Sequence, residues 1–264
     1  MPQLRHTVEH GMFIQELDGL ATRPPVLYLH GLGESGLCFE RIVTHSSLTG
    51  WRHLIPDLPG YGRSAWPDKP LTGAAVMDSV AEWLRRRGET RLIVVGHSLG
   101  GVLALLFCER HPDLVQAVID VEGNKSPGDC TYSGQAAAHD LAKFTLSGFD
   151  ALRDEVYRLG IDDPAHRGYY ASLRLAHPAT FHLHAAELVT ASAEKTLAER
   201  LRRLQCPKFY IAGSPSGSCE ESLDLLAAHG VPCISIMPSG HWPFIDQPDQ
   251  FAAAISGIFR VVSE

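Results

Sequence analysis

Four groups of residues have types and spacings that could do chemistry. The first is Gly96-His97-Ser98-Leu99-Gly100-Gly101, which follows the β-branched run Leu92-Ile93-Val94-Val95 and precedes the apolar stretch Val102–Phe107. It has the form G-x-S-x-G, in which a serine occupies a sharp strand-to-helix turn and the flanking glycines let strand and helix pack closely. A hydroxyl at such a tip, with the next backbone N–H (Leu99) aimed at the same space, is arranged to attack a carbonyl carbon and to bind the oxyanion that forms. The second group is His30-Gly31-Leu32-Gly33-Glu34-Ser35-Gly36, after the apolar run Val26–Leu29. Preceding a serine elbow, this loop is where a second oxyanion donor should come from, here the Leu32 N–H.

The same loop formally matches G-x-G-x-x-G, follows a strand, opens a helix and has Asp57 about 21 residues after its last glycine, so dinucleotide binding at Gly31–Gly36 is a rival reading. That reading accounts for one segment only. The third group is Asp57-Leu58-Pro59-Gly60-Tyr61-Gly62-Arg63-Ser64, and the fourth is Ser239-Gly240-His241-Trp242-Pro243 near the C-terminus.

The elements that must hold these groups follow from hydrophobic period. Arg5–Glu9 and Met12–Leu17 alternate around His10-Gly11 and read as an antiparallel hairpin. Val26–Leu29, His53–Pro56, Leu92–Val95, Ala117–Val121, Lys208–Ala212 and Cys233–Met237 are short apolar runs of the kind buried on both faces of a parallel sheet. Helices alternate with them. Thr72 caps one with the stripe Val76, Met77, Val80, Trp83 and Leu84, stopped at Gly88, and others span residues 99–110, 221–229 and 250–260. The expected fold class is α/β, a mostly parallel central sheet of about eight strands flanked by helices. From Lys125 to Arg203 the strand rhythm stops and helical patterns take over, divided at Ser126–Asp129 and Asp162-Asp163-Pro164. Residues 1–124 and 204–264 are therefore expected to form the core, and 125–203 an inserted helical lid.

The totals limit the partners. The 264-residue chain has a formal net charge of −7, 45% hydrophobic and 20% charged residues. Its only basic clusters, Arg85-Arg86-Arg87 and Arg202-Arg203, end helical patterns, where they complement the helix dipole, so nucleic acid is not expected as a partner. No apolar stretch is long enough to span a bilayer and the N-terminus lacks an apolar signal core, which implies a cytoplasmic protein. Six scattered cysteines without a C-x-x-C pair are expected as reduced thiols. Fourteen histidines invite a metal reading, but His182 and His184 point to different helix faces and no H-E-x-x-H occurs. Neither a metal nor a cofactor is expected.

Together the four motifs, in this order and spanning nearly the whole chain except the lid, resemble the alpha/beta hydrolase superfamily, specifically its serine-nucleophile, esterase-like branch. The resemblance implies Ser98 as nucleophile, His241 as general base, and the Leu32 and Leu99 N–H groups as the oxyanion hole. Serine at position 98, where dehalogenases and epoxide hydrolases of this fold carry aspartate, points to acyl chemistry. The chain departs from the common pattern at the acid. Relatives place an aspartate soon after the strand ending at Gly213, yet here the sequence is Ser214-Pro215-Ser216-Gly217-Ser218. A substitute carboxylate site in some relatives lies at the end of the strand after the nucleophile helix, where Glu122 stands. Glu122 is favoured, with Glu220, Glu221 and Asp120 as alternatives. His30, Trp242, Phe144 and Tyr169 are expected to line the substrate pocket.

The expected activity is hydrolysis of a small carboxylic ester, thioester or lactone, with an acyl substrate and water as partners. The alternatives are non-hydrolytic uses of the fold, as acyltransferase, lyase, cofactor-free oxygenase or ligand receptor, and the nucleotide-binding reading of the glycine loop. Oligomeric state is not readable from the sequence.

Overall fold

A computed structural model describes residues 4–263. Eight strands form one sheet: β1 (Arg5–Glu9), β2 (Met12–Leu17), β3 (Val26–Leu29), β4 (His53–Pro56), β5 (Leu92–His97), β6 (Val115–Val121), β7 (Lys208–Ser216) and β8 (Cys233–Gly240). Their spatial order is β1-β2-β4-β3-β5-β6-β7-β8. The hairpin β1–β2 and the β2–β4 pair are antiparallel, and every pair from β4 onward is parallel. The most apolar runs occupy the middle: all residues of β3 and β5 are buried, because helices cover both faces of the sheet there.

The helices are α1 (Glu40–Val43), α2 (Gly73–Arg86), α3 (Leu99–Arg110), α4 (Thr131–Ala137), α5 (Leu141–Lys143), α6 (Phe149–Leu159), α7 (Pro164–Leu173), α8 (Pro178–Ala193), α9 (Leu197–Arg203), α10 (Glu220–Ala228), α11 (Pro243–Asp246) and α12 (Pro248–Val261). The Thr72 side chain caps α2 by accepting the Ala75 N–H at 3.2 Å, and the five apolar stripe residues are all buried. Burying each such side chain contributes about 1.5–3 kcal/mol. α3 is apolar nearly all round, and nine of its twelve residues are buried. That suits a helix covered by the sheet on one side and by neighbouring helices on the other.

Two local expectations need correction. The segment after the glycine loop is not a regular helix but a 3₁₀ turn, Gly36–Phe39, followed by the four-residue α1. Within the stretch 125–203, read as helical patterns throughout, Phe144–Gly148 is a π-helical segment whose Leu146 is 84% exposed. Between β6 and β7 the described chain contains no strand, only α4 to α9 and the short turns joining them.

Candidate active site

The elbow is built by close backbone approach. Ser98 has φ 54° and ψ −120°, a strained conformation for a residue with a side chain. A Cβ on Gly96 would collide with the carbonyl of Gly100, so glycine is required for α3 to begin so close to β5. The Ser98 N–H donates to the carbonyl of Val121 at 2.9 Å, which ties the elbow to the tip of β6.

Glu122 is the next residue after that carbonyl. It too has positive φ, 54°, and its N–H donates to Ile211 of β7 at 3.0 Å. Its fully buried carboxylate turns back over the sheet edge. Oε1 accepts the Gly213 N–H at 2.6 Å and Oε2 lies 3.2 Å from His241 Nδ1. The segment Ser214–Ser218, which lacks a carboxylate, packs against this side chain: a Cβ on Gly217 would overlap Glu122 Oε1. The alternatives lie elsewhere. Asp120 is committed to a buried ion pair with Lys125 at 2.7 Å, Glu221 is a surface group paired with Lys195, and Glu220 begins α10.

Ser98 and His241 line the same cavity, of about 470 Å³, although no hydrogen bond joins them among the described residues. Catalytic contacts of this kind are often loose before substrate binds. Leu32 and Leu99 are both buried, and neither N–H donates to a protein acceptor among the described residues. Buried amides rarely go unpaired, so this pair is available to a ligand oxygen.

In the cavity floor lies a network for which the sequence offers no spacing signal. Glu34 Oε2 accepts from Gly31 N–H at 2.7 Å and faces His97 Nδ1 at 2.8 Å, while Oε1 accepts from Trp242 Nε1 at 2.6 Å. His97 Nε2 in turn lies 2.7 Å from the carbonyl oxygen of His241. The one available hint was a carboxylate set among apolar and glycine residues, which must find partners once buried. A second unforeseen cluster lies in the cavity wall, where His166 bridges Asp163 (2.5 Å) and the Tyr132 hydroxyl (2.9 Å).

Of the expected pocket residues, Tyr169 and Trp242 line the cavity and their rings pack at 5.6 Å. Phe144 does not: it is buried against Phe149 and Phe181 as core within the helical block. His30 does not line it either, being fully buried with Nε2 accepting the Leu58 N–H at 3.0 Å. Five carboxylates line the cavity, those of Glu34, Glu122, Asp129, Asp163 and Asp246, and no lysine or arginine does so among the described residues.

The dinucleotide reading of Gly31–Gly36 is overturned. Its amides are already bound by the chain's own carboxylates, Gly31 by Glu34 and Gly36 by Asp57 at 2.7 Å. A pyrophosphate would have to displace two buried anions. Asp57, the residue expected to reach a ribose, is fully buried and also accepts the Arg63 N–H. Over Gly33 the loop is closed by Leu173, Phe181 and Tyr169.

Comparison with known proteins agrees with this architecture. The chain is 29% identical over 254 residues to a pimeloyl-[acyl-carrier protein] methyl ester esterase of Edwardsiella ictaluri (strain 93-146), covering 89% of this chain and 93% of that protein. It is 29% identical over 124 residues to epoxide hydrolase 3 of Siraitia grosvenorii, a match covering 46% of this chain but only 39% of the relative's length. The solved structure of a thermophilic esterase from Thermogutta terrifontis superposes with a TM-score of 0.76 at 20% identity, over 99% of this chain and 100% of that one. Residues 26–254 match the sequence pattern described as the alpha/beta hydrolase family, and the protein belongs to that family.

Proposed function

We propose that the protein is a serine hydrolase that cleaves a small, uncharged carboxylic ester, thioester or lactone through an acyl-enzyme on Ser98. The observation that carries this reading is the convergence on one cavity of Ser98, of His241 with Glu122 at its Nδ1, and of Leu32, whose N–H, like that of Leu99 next to Ser98, has no protein acceptor among the described residues. Ser98 Oγ attacks the carbonyl carbon as His241 Nε2 takes its proton. Glu122, accepting from Nδ1–H, holds the tautomer in which Nε2 is basic and stabilises the imidazolium that forms. The Leu32 and Leu99 N–H groups bind the tetrahedral oxyanion, each such donor being worth about 2.7–4 kcal/mol in a comparable protease. His241 then returns the proton to the departing alcohol or thiol, and the same steps with water release the acid and free Ser98.

The helical block 125–203 acts as a lid. It supplies Tyr132, Asp163, His166, Tyr169 and Leu188 to the cavity wall opposite the sheet. Because that wall and the floor carry five carboxylates and, among the described residues, no lysine or arginine, the local field disfavours anionic substrates. Intact-protein mass measurement after fluorophosphonate treatment tests the reading. One adduct is expected on the wild type and none on Ser98→Ala, with loss of ester and lactone turnover in the same variant. Adduct formation on Ser98 without turnover across a broad ester, thioester and lactone panel would refute hydrolysis and favour a non-hydrolytic use of the fold.

A further inference from the structure

We propose that Glu34 and His97 form a buried carboxylate–imidazolium strut that holds His241 and the oxyanion loop in register, making both of them positioning residues. The catalytic part of this inference rests on the serine hydrolase reading above; the charge state of His97 does not.

The first argument is geometric. The groups that must act together come from three segments far apart in sequence: the loop of Leu32, the elbow of Ser98 and the loop of His241. One carboxylate touches all three, through Gly31 N–H, His97 and the Trp242 indole. His97 adds a further tie, from the residue preceding Ser98 to the main chain of His241 itself. The small size of Gly31 is part of the device, since a Cβ there would lie 2.8 Å from Glu34 Oε2 and 3.2 Å from the Ser98 Cβ.

The second argument counts protons. A carbonyl oxygen can only accept, so His97 Nε2 must carry a hydrogen to bond the His241 carbonyl. Glu34 already receives two N–H donors, from Gly31 and Trp242, which favours its ionised form and leaves it an acceptor toward His97 Nδ1. Both ring nitrogens therefore donate, and a histidine that donates from both is an imidazolium. Burial opposes charge on both partners, but their mutual attraction and hydrogen bonds outweigh it. The pKa of His97 is raised, and that of Glu34 is held down to about 2.

The charges facing this pair set its effect on catalysis. His97 meets Glu34 on one side, the His241 ring at 4.8 Å, and the more distant negative charge of Glu122; His30 also lies within its field, and Phe244 and Trp242 complete the apolar surround. With His241 neutral, the two carboxylates and one imidazolium leave a single net negative charge. That charge is cancelled when His241 takes the proton of Ser98. Without the His97 cation, two negative charges would face His241.

Histidine-selective nitrogen NMR on the full-length wild-type protein tests the charge state. One histidine with both ring nitrogens protonated is expected to persist at a pH above the ordinary histidine midpoint of about 6.5 and to be absent from the spectrum of His97→Gln. A His97 that has already lost its second ring proton at that ordinary midpoint would overturn the strut. For positioning, Glu34→Gln is expected to abolish that signature and to lower kcat/KM for a neutral ester by at least tenfold. In the wild type, an alkaline loss of kcat should track the deprotonation of His97, which tests the idea even where the variant does not fold. Undiminished kcat while His97 titrates would overturn the positioning role. If the wild type hydrolyses no ester, that counts against the hydrolase reading alone, and the nitrogen spectrum still decides the strut.

Discussion

Glu122 and His241 meet at 3.2 Å although 119 positions separate them, and the meeting depends on Glu122 being the first residue beyond β6 with a left-handed backbone. Had the backbone continued as a strand, the side chain would alternate across the sheet rather than curl over its edge. The second carboxylate oxygen is fixed by Gly213 N–H, so the first is presented in one orientation. Glu122→Gln is expected to lower turnover by well over tenfold, because an amide placed with its NH₂ toward Nδ1 selects the wrong imidazole tautomer. Glu220→Gln and Glu221→Gln are expected to stay within about twofold. Steady-state kinetics on one ester decide the matter, and the reverse ranking would return the acid role to α10.

Much of this was legible because it is local or topological. The elbow is visible in the sequence since only glycine tolerates the approach of α3 to β5. Glu122 was reachable because a parallel crossover must set β6 beside β5, which places the tip of one strand next to the tip of the other. The contacts that the sequence does not show join segments with no common spacing. Glu34, His97 and Trp242 come from a loop, an elbow and a C-terminal turn, and only the folded chain shows that one carboxylate serves all three. Phe144 shows the opposite failure. Its aromatic character suggested a pocket wall, but it stacks on Phe181 as core, and periodicity cannot tell an inner helix face from a cavity face.

Gly217 offers a test of the acid's setting without changing any titratable group. A methyl group there would overlap both Glu122 Oε1 and the Gly213 carbonyl, neither of which can retreat within the sheet edge. Gly217→Ala is expected to cost about 1–3 kcal/mol of stability, as other overpacked sites do. It should also lower kcat more than tenfold by displacing the carboxylate from His241. Thermal melting and kcat measured on the same sample check this; an unchanged kcat would show that Glu122 need not be held where it is.

Charge selectivity follows from the cavity wall. Since five carboxylates and no lysine or arginine face it among the described residues, a neutral ester should be preferred to an isosteric ester whose acyl chain ends in a carboxylate. The expected ratio of kcat/KM is at least tenfold at low ionic strength, shrinking as salt is added. Asp163→Asn should narrow the gap. Equal rates on the two esters would mean that the acyl chain does not pass the acidic wall.

Acid sensitivity should begin well above the range where carboxylates titrate. His53 and His184 are buried, and burial lowers the pKa of each to about 4 from the ordinary 6.5. Above pH 6.5 both are neutral in the folded and the unfolded chain and cost nothing. As pH falls from 6.5 toward 4 the unfolded chain takes up protons that the folded one refuses, so each site removes on the order of 3 kcal/mol. His97 works in the opposite sense. Its raised pKa makes the folded chain bind the proton more tightly, a contribution fully present below 6.5 and lost as pH rises through the folded value. Below pH 6.5 the His97 contribution no longer changes, and the buried His30, whose pKa burial also lowers, adds to the effect of His53 and His184, so melting temperature is expected to drop between pH 6.5 and 4.5. His53→Gln, which keeps a polar group facing the Tyr28 hydroxyl but cannot titrate, should flatten that slope. Calorimetric melts of both proteins across that interval provide the check, and a wild-type melting temperature independent of pH there would contradict the assignment of neutral buried histidines.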